Sequence, residues 1–139
     1  MSRQPFYIGV KAIIAHGDKI LLLKDRPRDT WELPGGRIDA GQSIEETLSR
    51  EITEEIPGAK LLKLGQLLHA AIGDFLVENQ YSLCLLFYAA EVELPEAIDL
   101  SEEHTDAVWI GHTDLAKYKL FTSDRAAIRE FFDNHKAKS

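Results

Sequence analysis

The stretch GRIDAGQSIEETLSREITEE, residues 36–55, decides the architecture of this chain. Ser43 and Glu46 stand at capping-box spacing and Pro57 with Gly58 supplies a stop, so the pattern predicts a helix over 43–56. At about 100° per residue, Ile44, Leu48, Ile52 and Ile56 fall on one stripe that should face a core. The same projection puts Glu51 and Glu55 at the edge of that stripe and Glu54 on their outer flank. Glu51 lies i−3 to Glu54 and i−4 to Glu55, and each such like-charge pair destabilises a helix by about 0.2–0.5 kcal/mol. Glu54 and Glu55 also meet the negative end of the helix dipole, and Arg50 relieves only part of this through Glu54 and Glu46.

A hard divalent cation reverses the sign of that arrangement, because Mg²⁺ takes oxygen ligands from a few carboxylates and keeps waters and phosphates in its shell. Taken alone, an acidic helix suits a solvated face better than a metal site. The turn Pro34-Gly35-Gly36-Arg37 just before it shifts the balance, since glycines let backbone groups approach an ion or a phosphate closely.

Working outward, residues 6–15, the turn chemistry of His16-Gly17-Asp18-Lys19 and the apolar run 20–23 read as a β-hairpin. Residues 24–37 read as a structured loop with a short extended piece at Trp31-Glu32-Leu33. Beyond the helix, 60–72 and 80–92 read as longer strands joined through Gly73-Asp74, 93–105 as an exposed acidic connection and 107–110 as a short strand. In 122–135, Ala127, Ile128, Phe131 and Phe132 recur at helical spacing. The order predicts an α+β sandwich, with a mixed sheet and flanking helices, built as a single domain over 1–139.

The composition narrows the function. With 23 acidic against 16 basic residues and a net charge of −7, the chain lacks the basic surface that general nucleic-acid binding needs. No run approaches the length of a membrane span, and the N-terminus carries no secretory pattern, so the expected setting is the cytoplasm. The one cysteine, Cys84, sits in an apolar run and reads as a small buried hydrophobe in a reducing compartment.

Gly36 to Gln42, seven further residues, and then Arg50-Glu51-Ile52-Thr53-Glu54-Glu55 resemble the Nudix box: G, five residues, E, seven residues, R-E-apolar-any-E-E, any, G, apolar. Trp31-Glu32-Leu33-Pro34-Gly35-Gly36 looks like the usual lead into that box, and the segment from Ala107 through Trp109 to Leu115 resembles its common late strand and helix start. Two positions depart from the pattern: Gln42 replaces the first glutamate, and Pro57 takes the glycine position with Gly58 one residue late. The resemblance implies a Nudix-like α/β/α sandwich. It further implies a hydrolase that cleaves the diphosphate linkage of a nucleoside diphosphate-X or a nucleoside triphosphate, using Mg²⁺ with Mn²⁺ as a substitute. On these positions Gly36, Glu51, Glu54 and Glu55 would hold the metal, Glu51 and Glu54 would be catalytic, and Glu103, six residues before Trp109, is a second carboxylate able to act as base. His104 beside it is a further candidate; His16, His69, His112 and His135 are scattered and read as surface or structural residues.

Lys24, Arg26, Arg28 and Arg37 gather positive charge next to the box and suit phosphate contacts, while Trp31, Phe75 and Tyr81 can stack on a base or belong to the core. The expected partner is a small nucleotide or nucleotide-sugar substrate, and similar proteins are frequently homodimers. A non-catalytic nucleotide-binding or sensor module is the competing expectation, kept open by Gln42. A prenyl diphosphate isomerase ranks lower, since Cys84 is poorly placed for it.

Overall fold

The computed structural model describes residues 2–73, 76–98 and 104–136. In chain order it contains β1 (Phe6–Ile13), β2 (Ala15–His16), β3 (Lys19–Asp25), β4 (Trp31–Glu32), β5 (Gly35–Arg37), α1 (Ile44–Glu55), β6 (Lys60–Ile72), β7 (Ser82–Glu93), β8 (His104–Ile110) and α2 (Thr122–Lys136). Short 3₁₀ turns span Glu78–Gln80 and His112–Lys117.

One sheet has the order β5-β1-β7-β6, in which β1 runs parallel to β7 while its pairing with β5, and that of β6 with β7, is antiparallel. In the second, β3 pairs antiparallel with β2, β4 and β8. This is the mixed-sheet, helix-flanked α+β architecture expected from the order of elements.

Two apolar clusters explain why β3 is apolar at every position from Ile20 to Leu23 instead of alternating. Ile20 and Leu22 join Phe87 and the Ile128, Phe131 and Phe132 face of α2, whereas Leu21 and Leu23 join Leu48, Ile52 and Ile56 of α1. Both faces of the strand are therefore covered, and all four residues are 0% exposed. β1 is divided the same way, with Ile13 in the α2 cluster and Val10 and Ala12, followed by Ile14 just past the strand, in the α1 cluster. The helical spacing read in the sequence thus reports real burial on both helices, and β6 matches the predicted 60–72 span.

Three expectations change. The hairpin over 6–15 and 20–23 survives only as the small arm of β2 on β3 around Gly17 and Asp18; β1 leaves it to pair with β5 and β7. A long apolar strand satisfies its backbone best in a sheet interior, and β1 finds one neighbour far along the chain. The strand expected at 107–110 begins at His104, because the polar residues before Ala107 continue the ladder on β3 through their backbone. The second long strand starts at Ser82, after a 3₁₀ turn in which Asn79 takes φ 59° and Gln80 is also left-handed at 63°. Among the described residues no helix is long and apolar enough to cross a membrane.

Phe87 is wholly buried in the α2 cluster, so Phe87→Ala is expected to lower unfolding free energy by about 3–5 kcal/mol in urea titrations. A loss under about 1 kcal/mol would contradict this account of the core.

Candidate active site

The capping box starts α1 as the sequence requires: Glu46 N–H donates to Ser43 Oγ at 3.0 Å, and Ser43 N–H donates to Glu46 Oε1 at 3.2 Å. The helix is then laid against β5 through two glycines. A Cβ on Gly36 would stand 2.4 Å from Glu51 Cδ, so any side chain there would displace the carboxylate. Gly35 has φ +152°, its Cβ would collide with the Val10 carbonyl at 2.0 Å, and its N–H donates to the Glu55 carboxylate at 3.3 and 3.4 Å. Glu51 and Glu55 therefore lie against bare backbone, while Glu54 faces outward.

The burial follows the helical projection. Glu55 is 3% exposed, the Glu51 side chain 15% and the Glu54 side chain 59%. Beside them a cleft of about 600 Å³ is lined by residues that include Lys11, Arg28, Glu32, Arg37, Phe121 and Asp124. Lys11 is the register partner of Gly35 across β1 and β5, so the glycine strand connects the carboxylates to the cleft.

A match to the NUDIX domain family model runs over residues 5–132. The chain is 31% identical over 107 residues to nucleoside triphosphatase NudI of Escherichia coli O139:H28, covering 71% of this chain and 74% of the relative. The solution structure of the E. coli ORF135 protein superposes with TM-score 0.79 at 23% identity, covering 97% of this chain and 94% of that one. The MutT Nudix hydrolase from Burkholderia pseudomallei superposes with TM-score 0.74 at 25% identity, over 91% of this chain and 98% of that one.

The chain belongs to the Nudix family. It is a Nudix pyrophosphohydrolase, and the two departures from the Nudix box can be placed. Gln42 Oε1 accepts from Arg50 Nη2 at 3.2 Å and from Thr47 Oγ1 at 3.3 Å. Arg50 also donates to Glu51 Oε1 at 3.0 Å, Glu54 Oε2 at 3.4 Å and Asp39 Oδ2 at 3.4 Å. The neutral amide thus enters the arginine network and leaves the Glu51–Glu55 pair intact. Pro57 follows the C-cap Ile56, and Gly58 takes φ +92° against Pro95, so this departure lies at the helix exit.

The predicted cationic residues separate. Arg37 and Arg28 both line the cleft; Arg37 lies 3.6 Å from Glu78 and over the Tyr7 ring, and Arg28 lies 3.6 Å from Asp25 and over the Phe121 ring. Arg26 is exposed and stands outside the lining. Lys24 binds Asp29 at 2.8 Å. Trp31 packs edge-on against Tyr118 at the α2 cluster, and Tyr81 stacks on Tyr7. Cys84 is half-buried. Glu103 and Phe75 lie outside the described residues.

Sequence reasoning missed Lys11, Glu32 and Asp124. The signal available was a charge in the buried phase of a strand: Lys11 shares a face of β1 with the core residue Ile13. Glu32 meets His104 Nε2 at 3.2 Å, and Asp25, Glu32 and His104 place one ligand-type atom each within 4.8 Å of one another. His104, read as a candidate, is buried in that group.

The carboxylates are pushed in opposite directions. Burial drives Glu55 up to about 9, aided by Glu51 and Glu32, and neither the Lys11 ammonium nor the Gly35 N–H offsets this. Burial also works against charged Glu32, yet the His104 hydrogen bond and the nearby Lys11 and Arg28 hold it below its ordinary value. The folded protein therefore keeps a proton on Glu55 that the unfolded chain has lost, across the window from 4.5 to about 9. Stability without divalent cations is expected to fall as pH rises through that window, by at most about 1.4 kcal/mol per pH unit for one group. Thermal unfolding in chelator should show this slope, and Glu55→Gln should flatten it; an unchanged slope in the variant refutes the assignment.

Proposed function

We propose that the chain is a Mg²⁺-dependent hydrolase that cleaves the diphosphate linkage of a nucleoside triphosphate or a nucleoside diphosphate-X, with Mn²⁺ as a substitute. The observation that carries this reading is the convergence of Glu51 and Glu55 on the bare backbone of Gly35 and Gly36, next to a cleft rimmed by Arg28 and Arg37. The donor set fits a hard divalent cation. All its ligands are oxygens, and the burial that forces a proton onto Glu55 is relieved by a positive ion.

In this reading Glu51, Glu55 and the Gly36 carbonyl hold the ion, with Glu54 as a further ligand that also accepts the proton of the attacking water. Glu103 is the alternative base. The bound cation supplies charge neutralisation of the diphosphate, polarisation of a P–O bond and a lowered pKa for bound water. Arg50 orients Glu51 and Glu54 through its two hydrogen bonds to them. Arg37 and Arg28 exchange their carboxylate partners, exposed Glu78 and half-buried Asp25, for substrate phosphates, and the apolar-walled cleft receives the nucleoside half. NudI is a nucleoside triphosphatase by name, which supports triphosphates as the first substrates to test.

Turnover should be measured on nucleoside triphosphates and diphosphate-linked nucleotides with Mg²⁺ and with Mn²⁺, following phosphate and pyrophosphate separately. Glu54→Gln is expected to reduce turnover by about 10²-fold or more while leaving the melting curve nearly unchanged, since an exposed charge is removed without loss of packing. Full activity of that variant with Mg²⁺ would remove Glu54 from the mechanism.

A further inference from the structure

A second group of metal-ligand side chains lies outside the glutamate set of α1. Asp25 ends β3, Glu32 ends β4 and His104 begins β8, and both β4 and β8 pair with β3. Asp25 stands opposite His104 in the β3–β8 ladder, just past a register shift at Lys24. One nitrogen or carboxylate oxygen from each of the three falls within 4.8 Å of the other two, and His104 Nε2 is 3.2 Å from Glu32 Oε1. The backbone ladders on β3 therefore hold all three in place, and none of them belongs to the stretch that resembles the Nudix box.

The group is short of electropositive partners. Its side chains are well shielded from water, at 14% exposed for Asp25, 16% for Glu32 and 2% for His104. With the Nε2–H of His104 donated to Glu32, two lone-pair atoms remain: Asp25 Oδ2 and His104 Nδ1 are each buried without a hydrogen-bond partner among the described residues. A buried polar atom left unmatched costs about 1–3 kcal/mol, which an electropositive partner removes. Arg28 Nε, 3.6 Å from Asp25 Oδ2, is too distant to hydrogen-bond, and its side chain is 65% exposed. It can swing into solvent and leave the carboxylate to another cation.

Geometry and donor chemistry both suit an ion. A divalent metal bonded to nitrogen and oxygen at about 2.0–2.2 Å holds its donors about 3–4.4 Å apart. The contact between His104 and Glu32 is already in that range, and the outer limit of 4.8 Å is a small side-chain rotation from it. Imidazole favours zinc and its neighbours in the first transition row, whereas Mg²⁺ prefers an all-oxygen shell. Two carboxylates beside one imidazole also balance the ion's charge, which relieves the penalty of burying them without a counter-ion.

We propose that Asp25, Glu32 and His104 form a second metal centre that takes a zinc-like divalent transition ion, with one carboxylate oxygen from each acid and a ring nitrogen from the histidine. It is separate from the oxygen-only set of Glu51, Glu55 and Gly36. The ion ties β3, β4 and β8 together beside the cleft, which Glu32 lines.

The test titrates Zn²⁺ calorimetrically into the protein in excess Mg²⁺, which occupies the oxygen-only set, and follows the melting temperature in parallel. The natural protein is expected to bind one Zn²⁺ per chain and to melt at a higher temperature with it. Asp25→Asn and His104→Gln are each expected to weaken that binding by about tenfold or more, whereas Glu51→Gln/Glu55→Gln retains it. If His104→Gln fails to fold by circular dichroism, Asp25→Asn, which preserves the side-chain shape, decides alone. No Zn²⁺ uptake in excess Mg²⁺ overturns the proposal. Uptake with unchanged affinity in the folded Asp25 and His104 variants puts the ion elsewhere and overturns it equally, as does loss of Zn²⁺ in a folded Glu51→Gln/Glu55→Gln protein. None of these measurements uses turnover, so the hydrolase reading stands or falls separately.

Discussion

The rest of the structure depends on the seating of two helix carboxylates against a strand that has no side chains to keep them away. Glu55 accepts the Gly35 N–H and Glu51 lies where a Gly36 Cβ would be. For this contact α1 must begin at the right residue, which the Ser43 and Glu46 box arranges, and must be held in rotation by Leu48, Ile52 and Ile56 in the core. A shift of one residue in the cap would turn the glutamates by about 100° and separate them from β5.

The contact is electrostatically expensive and the surroundings are organised around that expense. Arg50 collects Asp39, Gln42, Glu51 and Glu54 on the outer side of the helix. Lys11 lies on the inner side, 4.0 Å from Asp124, and the charges of Glu32, Glu55 and Glu51 also act on it. Gln42 belongs to the outer group, so a residue that departs from the Nudix box still fills the role of an acceptor for the arginine. The inner group leads to the cleft, which Lys11 and Asp124 line together with Arg28 and Arg37.

Elements with strong local signals were legible in the sequence. The helix bearing the glutamates was predicted within one residue of its observed bounds, because its cap chemistry, apolar stripe and stop all agree. The second helix and β6 were equally clear, although register shifts along β6 break the simple alternation. That Glu51 and Glu55 lie deeper than Glu54 followed from the wheel alone. What could not be read was pairing between distant strands: the parallel match of β1 with β7 has no local signature, so a hairpin looked simpler. The start of β8 escaped because its polar residues are held by backbone bonds to β3, which leave no mark on hydropathy.

By itself the sequence determined the helix that carries the acids, the glycine turn before it and the family to which their spacing belongs, since these rest on interactions between residues close along the chain. The tertiary structure decided which charges are buried together. Lys11 and Asp124 are more than a hundred positions apart, and Glu32 and His104 more than seventy, so only the closing of the two sheets and α2 brings them within reach. Their ionisation depends on how much water that closure removes, a quantity fixed by packing and invisible to residue spacing.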